Sequence, residues 1–386
     1  MQSCQTKNSQ FLEVEQIIDD IKERLAPDKR TVLYTIQTER KENRLVVSGE
    51  TSSQKAYLQL QDALSKLSNP INFQVDLLPT KAVAKLQFGL TRNSVSNLRS
   101  KPKHSAELAT QSIMGHPLKV LKQEGEWYLV QCGDKYIAWV DHGGIQLLDK
   151  AQYSSWIEDS KVIFTSIGGS VYASKLLEKP ICDIVYGSLL LVNNEFPGSF
   201  QVTLPDGRTG FVQKSEAQYY EQWLNNSKED PSDFALKLLG LPYLWGGTSS
   251  KGLDCSGFTK TIYLSQGLVI PRDASQQILA GNSIDGTKGF EHLEKGDLLF
   301  FGSPKTYEKR ERVVHVGMWL GDGQRYIHAS GNVHINTMDS KSSHYDEFNF
   351  NRYLRTRRFK KSDGISLDLS KENLYQSLYS KKTFQK

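Results

Sequence analysis

Apolar and polar side chains alternate with period two from Val313 to Leu320, which predicts a strand with His315, Gly317 and Trp319 on one face. Gly321-Asp322-Gly323 is a hairpin turn signal, and Gln324 to His328 reads as the return strand. A loop of Gly321-Asp322 would set His315 directly opposite His328. A loop of Asp322-Gly323 would set His328 opposite Gly317, diagonal to His315. Either register leaves both imidazoles on one face and within reach of each other, whereas a regular three-residue loop sends His328 to the other face. Upstream, the run Gly246 to Gly252 reads as a loop. From Phe258 the spacing of Phe258, Thr261, Ile262 and Leu264 predicts a short helix ending near Gly267. Asp254 is a good N-cap type, which puts Cys255 in the first turn.

The chain has 386 residues, too many for one typical domain. Val14, Ile17, Ile18, Ile21 and Leu25 follow helical spacing. Strand-like Thr31–Gln37 and Arg44–Ser48 follow, then a helix near Ser52–Leu67 and a strand near Ile71–Leu77, giving a small αββαβ unit over residues 1–80. Residues 113–140 and 185–212 repeat: Ile113/Val185, Gly115/Gly187, Leu118/Leu190, Tyr128/Phe200 and Trp139/Phe211 all stand 72 positions apart. These β-rich blocks, broken at Gly-Asp-Lys and Pro-Asp-Gly, predict two small barrels at 85–150 and 155–220. Asn225 to Ser232 reads as a linker into a last unit at 230–360, and the polar residues 361–386 as a loosely held tail.

Composition changes the picture only slightly. A net charge of +5 with 24% charged residues is mild and suits an anionic environment, and no concentrated basic stripe points to nucleic acid. Apolar runs such as Leu189 to Val192 are far too short for a transmembrane segment. No n-region and h-region precede the folded part, so no signal peptide is visible. Cys4 is a candidate lipid anchor, the acylated cysteine of a lipoprotein whose signal was removed or mis-started. Cys132 and Cys182 are expected as buried free thiols, with a disulfide between them as the alternative.

The chemistry concentrates in the last third. A thiol becomes a useful nucleophile when something favours its thiolate and a base manages its proton. A helix N-terminus supplies partial positive charge and free N–H groups for an oxyanion, so Cys255 is expected as a thiolate-prone nucleophile rather than a structural cysteine. One of the two histidines can be the base, and the other can fix its tautomer. No carboxylate or third histidine stands at ligand spacing, so neither a metal nor a cofactor is expected. His104, His116, His142, His292, His334 and His344 read as surface or satisfied core residues.

Tyr243-x-Trp245-Gly246-Gly247, Asp254-Cys255-Ser256-Gly257-Phe258, Pro271-Arg272-Asp273-x-Ser275-Gln276, Gly296-Asp297-Leu298-Leu299-Phe300-Phe301 and His315-Val316-Gly317 together resemble the NlpC/P60 cell-wall cysteine peptidases. The resemblance runs from about 232 to 360. It implies a papain-like α+β domain with Cys255 as nucleophile, His315 as base and His328 as orienting group. It further implies Tyr243 near the oxyanion, and Trp245, Asp254, Ser256 and Ser275 lining the substrate site. The two repeats resemble bacterial SH3-like domains, and the first unit is similar to the αββαβ BON domains, a spacer or docking domain being the alternative. SH3-like domains ahead of this peptidase resemble the subgroup with dipeptidyl-peptidase VI type activity, which cleaves γ-D-glutamyl–L-diamino acid bonds. In that subgroup the first barrel walls off one end of the cleft and reads the free amine of N-terminal L-Ala. Glu107 and Tyr136 are the candidates here, and Arg208 stands at the Tyr136 position of the second repeat. The implied partners are peptidoglycan stem peptides, with meso-diaminopimelate or lysine as diamino acid, in the cell envelope, periplasmic or secreted. The alternatives are a silent wall-binding protein and an amidase or acyltransferase on the same scaffold.

Overall fold

The computed structural model describes residues 2–42, 44–226, 228–284, 289–361 and 366–379, with side chains from Gln10 onward. The Cys4 side chain lies outside the described residues. At the N-terminal end, helix Gln2–Leu25 and helix Gln54–Ser65 share a core with a three-stranded sheet of Gln37–Lys41, Arg44–Thr51 and Asn72–Leu77. Val14, Ile18 and Ile21 pack there with Val47 and Leu60, so the helical stripe seen in the sequence is the buried one. The order helix, strand, strand, helix, strand matches expectation, but the first strand does not begin at Thr31. The carbonyls of Arg30 and Thr31 are taken by the neighbouring barrel instead, while Leu33 and Thr35 bond to Ser52 and Glu50 of their own unit. The Ile137 N–H donates to the Arg30 carbonyl at 2.7 Å, and the Gln131 amide donates to the Thr31 carbonyl at 2.9 Å. Carbonyls satisfied from another unit are not free to extend their own sheet.

Two seven-stranded sheets follow, from Phe88 to Leu148 and from Lys161 to Tyr219. In each, the strands lie in the same order: seventh, first, fourth, fifth, sixth, second, third. Pro117–Glu124, Trp127–Cys132 and Ile137–Asp141 correspond to Leu189–Glu195, Ser199–Thr203 and Thr209–Gln213, at the offset the repeat predicts. The barrels touch where Leu189 N–H donates to Met114 O at 3.0 Å. Gly115, at φ +80°, makes room for this seam: a Cβ there would fall 2.0 Å from the Leu189 carbonyl oxygen.

The last unit packs helix Cys255–Ser265 through Phe258 and Ile262 against a six-stranded antiparallel sheet. Its strands run in the order Asn282–Ile284, Tyr353–Arg358, Leu298–Ser303, Arg312–Trp319, Arg325–Ser330, Asn332–Thr337. Among the described residues, no helix is long and apolar enough to cross a membrane.

The tail expectation is corrected for the described part, 366–379. Leu367–Asp368 pairs with Leu268–Val269, and Leu369, Leu374, Tyr375 and Leu378 are buried. The Tyr375 hydroxyl donates to Gly115 O at 3.0 Å, and the Tyr153 hydroxyl donates to Tyr375 O at 3.0 Å. Four isolated anchors among polar residues make no periodic stripe, so the pattern alone does not show them. Cys132 and Cys182 are free, which excludes the disulfide alternative.

Candidate active site

The nucleophile candidate is placed by one carboxylate. Asp254 caps its helix by accepting from the Gly257 N–H at 2.7 Å, and its other oxygen accepts from the Gly246 N–H at 2.9 Å. Arg272, only 1% exposed, forks onto the same carboxylate at 2.6 and 3.1 Å and reaches Ser256 Oγ at 3.0 Å. Its Nε donates to Thr110 Oγ1 of the first barrel at 2.9 Å. Asp254 therefore has its lone pairs filled from within and holds Cys255 rather than presenting a free carboxylate. The closeness of these loops requires glycine: a Cβ on Gly257 would stand 1.9 Å from the Gly247 carbonyl oxygen.

The histidine strands take the second of the two registers. Met318 pairs with Ile327 and Trp319 with Tyr326, which brings His328 beside Gly317. The loop itself is longer than two residues, because Leu320 and Arg325 still pair and the chain turns through 321–324. Both rings lie on one face. His315 Nε2 meets His328 Nδ1 at 2.7 Å, and both side chains are buried. The backbone N–H groups of Val316, the residue after His315, and of Ser256 act on the Cys255 thiol and favour its thiolate.

Electrostatics depart from the thiolate expectation. Burial, then the Asp254 carboxylate, pushes the Cys255 thiol up to about 12, outweighing the helix-end amides. Burial, then the Arg352 charge, lowers His315 to about 4, and burial with His315 lowers His328 to about 2. Thiol and imidazoles are each held neutral.

A cleft of about 730 Å³ opens over Cys255. Tyr243, Trp245, Asp254, Ser256 and Ser275 line it from the C-terminal unit, and Glu107 and Tyr136 from the first barrel. Trp245 Nε1 donates to Glu107 Oε1 at 2.8 Å, and the Tyr136 hydroxyl donates to Asp273 Oδ2 at 3.3 Å. Arg208 of the second barrel is instead a surface residue paired with Asp206 at 2.9 Å.

Residues 240–355 match the NlpC/P60 family, and residues 98–145 match the bacterial dipeptidyl-peptidase Sh3 domain. A γ-D-glutamyl-L-lysine dipeptidyl-peptidase of Bacillus subtilis (strain 168) is 31% identical over 231 residues, which span 56% of this chain and 71% of that protein. The chain belongs to the NlpC/P60 family. It is a cysteine peptidase with a bacterial SH3 domain ahead of the catalytic unit. The dipeptidyl-peptidase 6 of Lysinibacillus sphaericus is 29% identical over 271 residues, 65% of this chain and 92% of that protein. The γ-D-glutamyl-L-lysine dipeptidyl-peptidase of Bacillus cereus (strain ATCC 10987) is 31% identical over 228 residues, 56% of this chain and 66% of that protein. The crystal structure of an NlpC/P60 family protein from Bacillus cereus ATCC 10987 superposes with TM-score 0.60 at 24% identity, covering 70% of this chain and 99% of that one, which supports the fold.

Several residues of the peptidase's site were not singled out from sequence. His334, set aside above as ordinary, pairs across from His328, their ring centroids 4.4 Å apart. Asp273 sits in a quoted motif, and only the structure shows it under Tyr136. Arg352, stacked on Phe348 at 4.0 Å, exerts the largest charge effect on His315 after burial. Arg30 comes from the N-terminal unit and has no sequence signal at all.

Proposed function

We propose that the protein hydrolyses peptidoglycan stem peptides at the γ-D-glutamyl–L-diamino acid bond, acting on peptides that carry a free N-terminal L-Ala. The observation that carries this reading is the wall that the first barrel contributes to the cleft. The first barrel places Glu107 and Tyr136 in the same cleft as Cys255, where an exopeptidase needs a stop. Glu107 offers its carboxylate to the substrate ammonium, and the Tyr136 hydroxyl supports it. A blocked amine would leave those groups unpaired, and such mismatches discriminate strongly.

In the mechanism, Cys255 Sγ attacks the γ-carbonyl. With His315 Nε2 donating to His328 Nδ1, His315 Nδ1 keeps a lone pair for the thiol proton. Because burial holds both groups neutral, that proton moves as the C–S bond forms rather than beforehand. His315 then gives it to the departing amine of the diamino acid, leaving the thioester. Water, deprotonated by His315, hydrolyses the thioester and releases L-Ala-D-Glu. Tyr243, half-buried in the wall beside Cys255, is placed to support the oxyanion.

The test is product analysis with L-Ala-γ-D-Glu-diamino acid peptides, free and N-acetylated. Release of L-Ala-D-Glu from the free peptide, with at least ~10²-fold slower cleavage of the acetylated one, is expected. Equal rates on both would remove the roles of Glu107 and Tyr136.

The pH profile supplies a second check. His315 is a competent base above about 4 and loses that role as pH falls through it. The acid limb of kcat/KM should therefore lie near 4, well below the ordinary histidine value of ~6.5. On the alkaline side, activity should fall near ~8 as the substrate amine loses its proton. An acid limb at ~6.5 would show that burial does not hold His315 neutral.

A further inference from the structure

The N-terminal unit lines the cleft with Lys29, Arg30 and Leu33, and Arg30 makes the polar contacts. Arg30 Nη1 donates to Asp273 Oδ2 and to Ser275 Oγ, both at 2.8 Å. Its Nε and Nη2 are held by the Asp28 carboxylate at 2.8 and 2.7 Å, and Gln276 donates to that same carboxylate at 2.8 Å. With these bonds nearly all its donors are committed, so Arg30 serves as a staple rather than as a free anion receptor. The backbone beneath it is fixed to the first barrel by the bond from Ile137, and Leu33 packs against Leu121, Leu129 and Trp139. Asp273 is thus shared by three units: its own, Tyr136 of the first barrel, and Arg30. Burial pushes the Asp273 carboxyl above its ordinary range, and Arg272 and then Arg30 oppose that rise.

We propose that the first ~80 residues are a working wall of the substrate cleft, with Arg30 a positioning residue that sets discrimination at the end reading the peptide amine. Resting on the activity proposed above, this assigns the N-terminal unit a part in choosing substrates rather than a spacer role. Asp273 aimed by Arg30 keeps the Tyr136 hydroxyl in place, and the 28–33 segment prevents a longer chain from passing beyond it.

The test compares wild type, Arg30→Met and Arg30→Lys as full-length chains on free and N-acetylated L-Ala-γ-D-Glu-diamino acid peptides. Arg30→Met should raise KM for the free peptide ~10-fold or more, with kcat within ~3-fold, because a charge-assisted contact is lost away from the reacting atoms. Its preference for the free amine should shrink by a similar factor, and Arg30→Lys should recover part of both. If Arg30→Met fails to fold, Arg30→Lys carries the test, with an expected partial rise in KM. Unchanged KM and unchanged preference in a folded variant would overturn the inference while leaving the activity proposal intact. Loss of preference already in wild type would overturn the activity proposal itself.

Discussion

Replacing Cys255 by alanine is expected to lower kcat/KM by ~10⁴-fold or more, with the fold retained. The helix start does not depend on the sulfur, since Asp254 still caps Gly257. No neighbour can substitute for it. The Ser256 hydroxyl is engaged by Arg272 and Asp254, and Cys132 and Cys182 lie in the barrels. Steady-state assay of stem-peptide cleavage, alongside circular dichroism, checks this. Retention of more than about a hundredth of the wild-type rate would point to another nucleophile.

The second large effect falls on stability. Arg272→Met should cost the C-terminal unit about 3–5 kcal/mol, because it strands the buried Asp254 carboxylate without its counter-charge. The same carboxylate raises the Cys255 thiol, so the surviving folded protein should also be slower. Removing both charges, as Arg272→Met with Asp254→Asn, should recover much of the stability, since a buried pair deleted together is often near neutral. Denaturant unfolding of the three variants decides it. A single variant as stable as wild type would mean the pair is not desolvated as the structure shows.

Much of this was legible from pattern. Period-two alternation and the turn signal put His315 and His328 on one face in both two-residue-loop registers, and only a three-residue loop would have parted them. The cap type at Asp254 and the first spacing change at Phe258 fixed the helix start. The 72-residue offset located two equivalent sheets. What was not legible came from contacts between units. Thr31 to Gln37 has strand-like composition, but Gln131 takes the Thr31 carbonyl and Ile137 that of Arg30 just before it, so the strand starts later. The tail anchors Leu369, Leu374 and Tyr375 join a core built by the barrels and the catalytic helix, and their spacing follows that surface rather than a helix or strand period. The thiolate expectation weighed the helix end and a neighbouring imidazolium and omitted desolvation, which only a folded core supplies. His334 was passed over because its relevance depends on a strand register one hairpin further on.

The most direct measurement uses a diazomethyl ketone of L-Ala-γ-D-Glu, which alkylates a nucleophilic cysteine where the γ-carbonyl would be attacked. Digestion and mass spectrometry should find one adduct per chain, at Cys255, with loss of activity in step and much slower labelling in His315→Ala. Inactivation with the label on any other residue, or undiminished labelling without His315, would contradict the account.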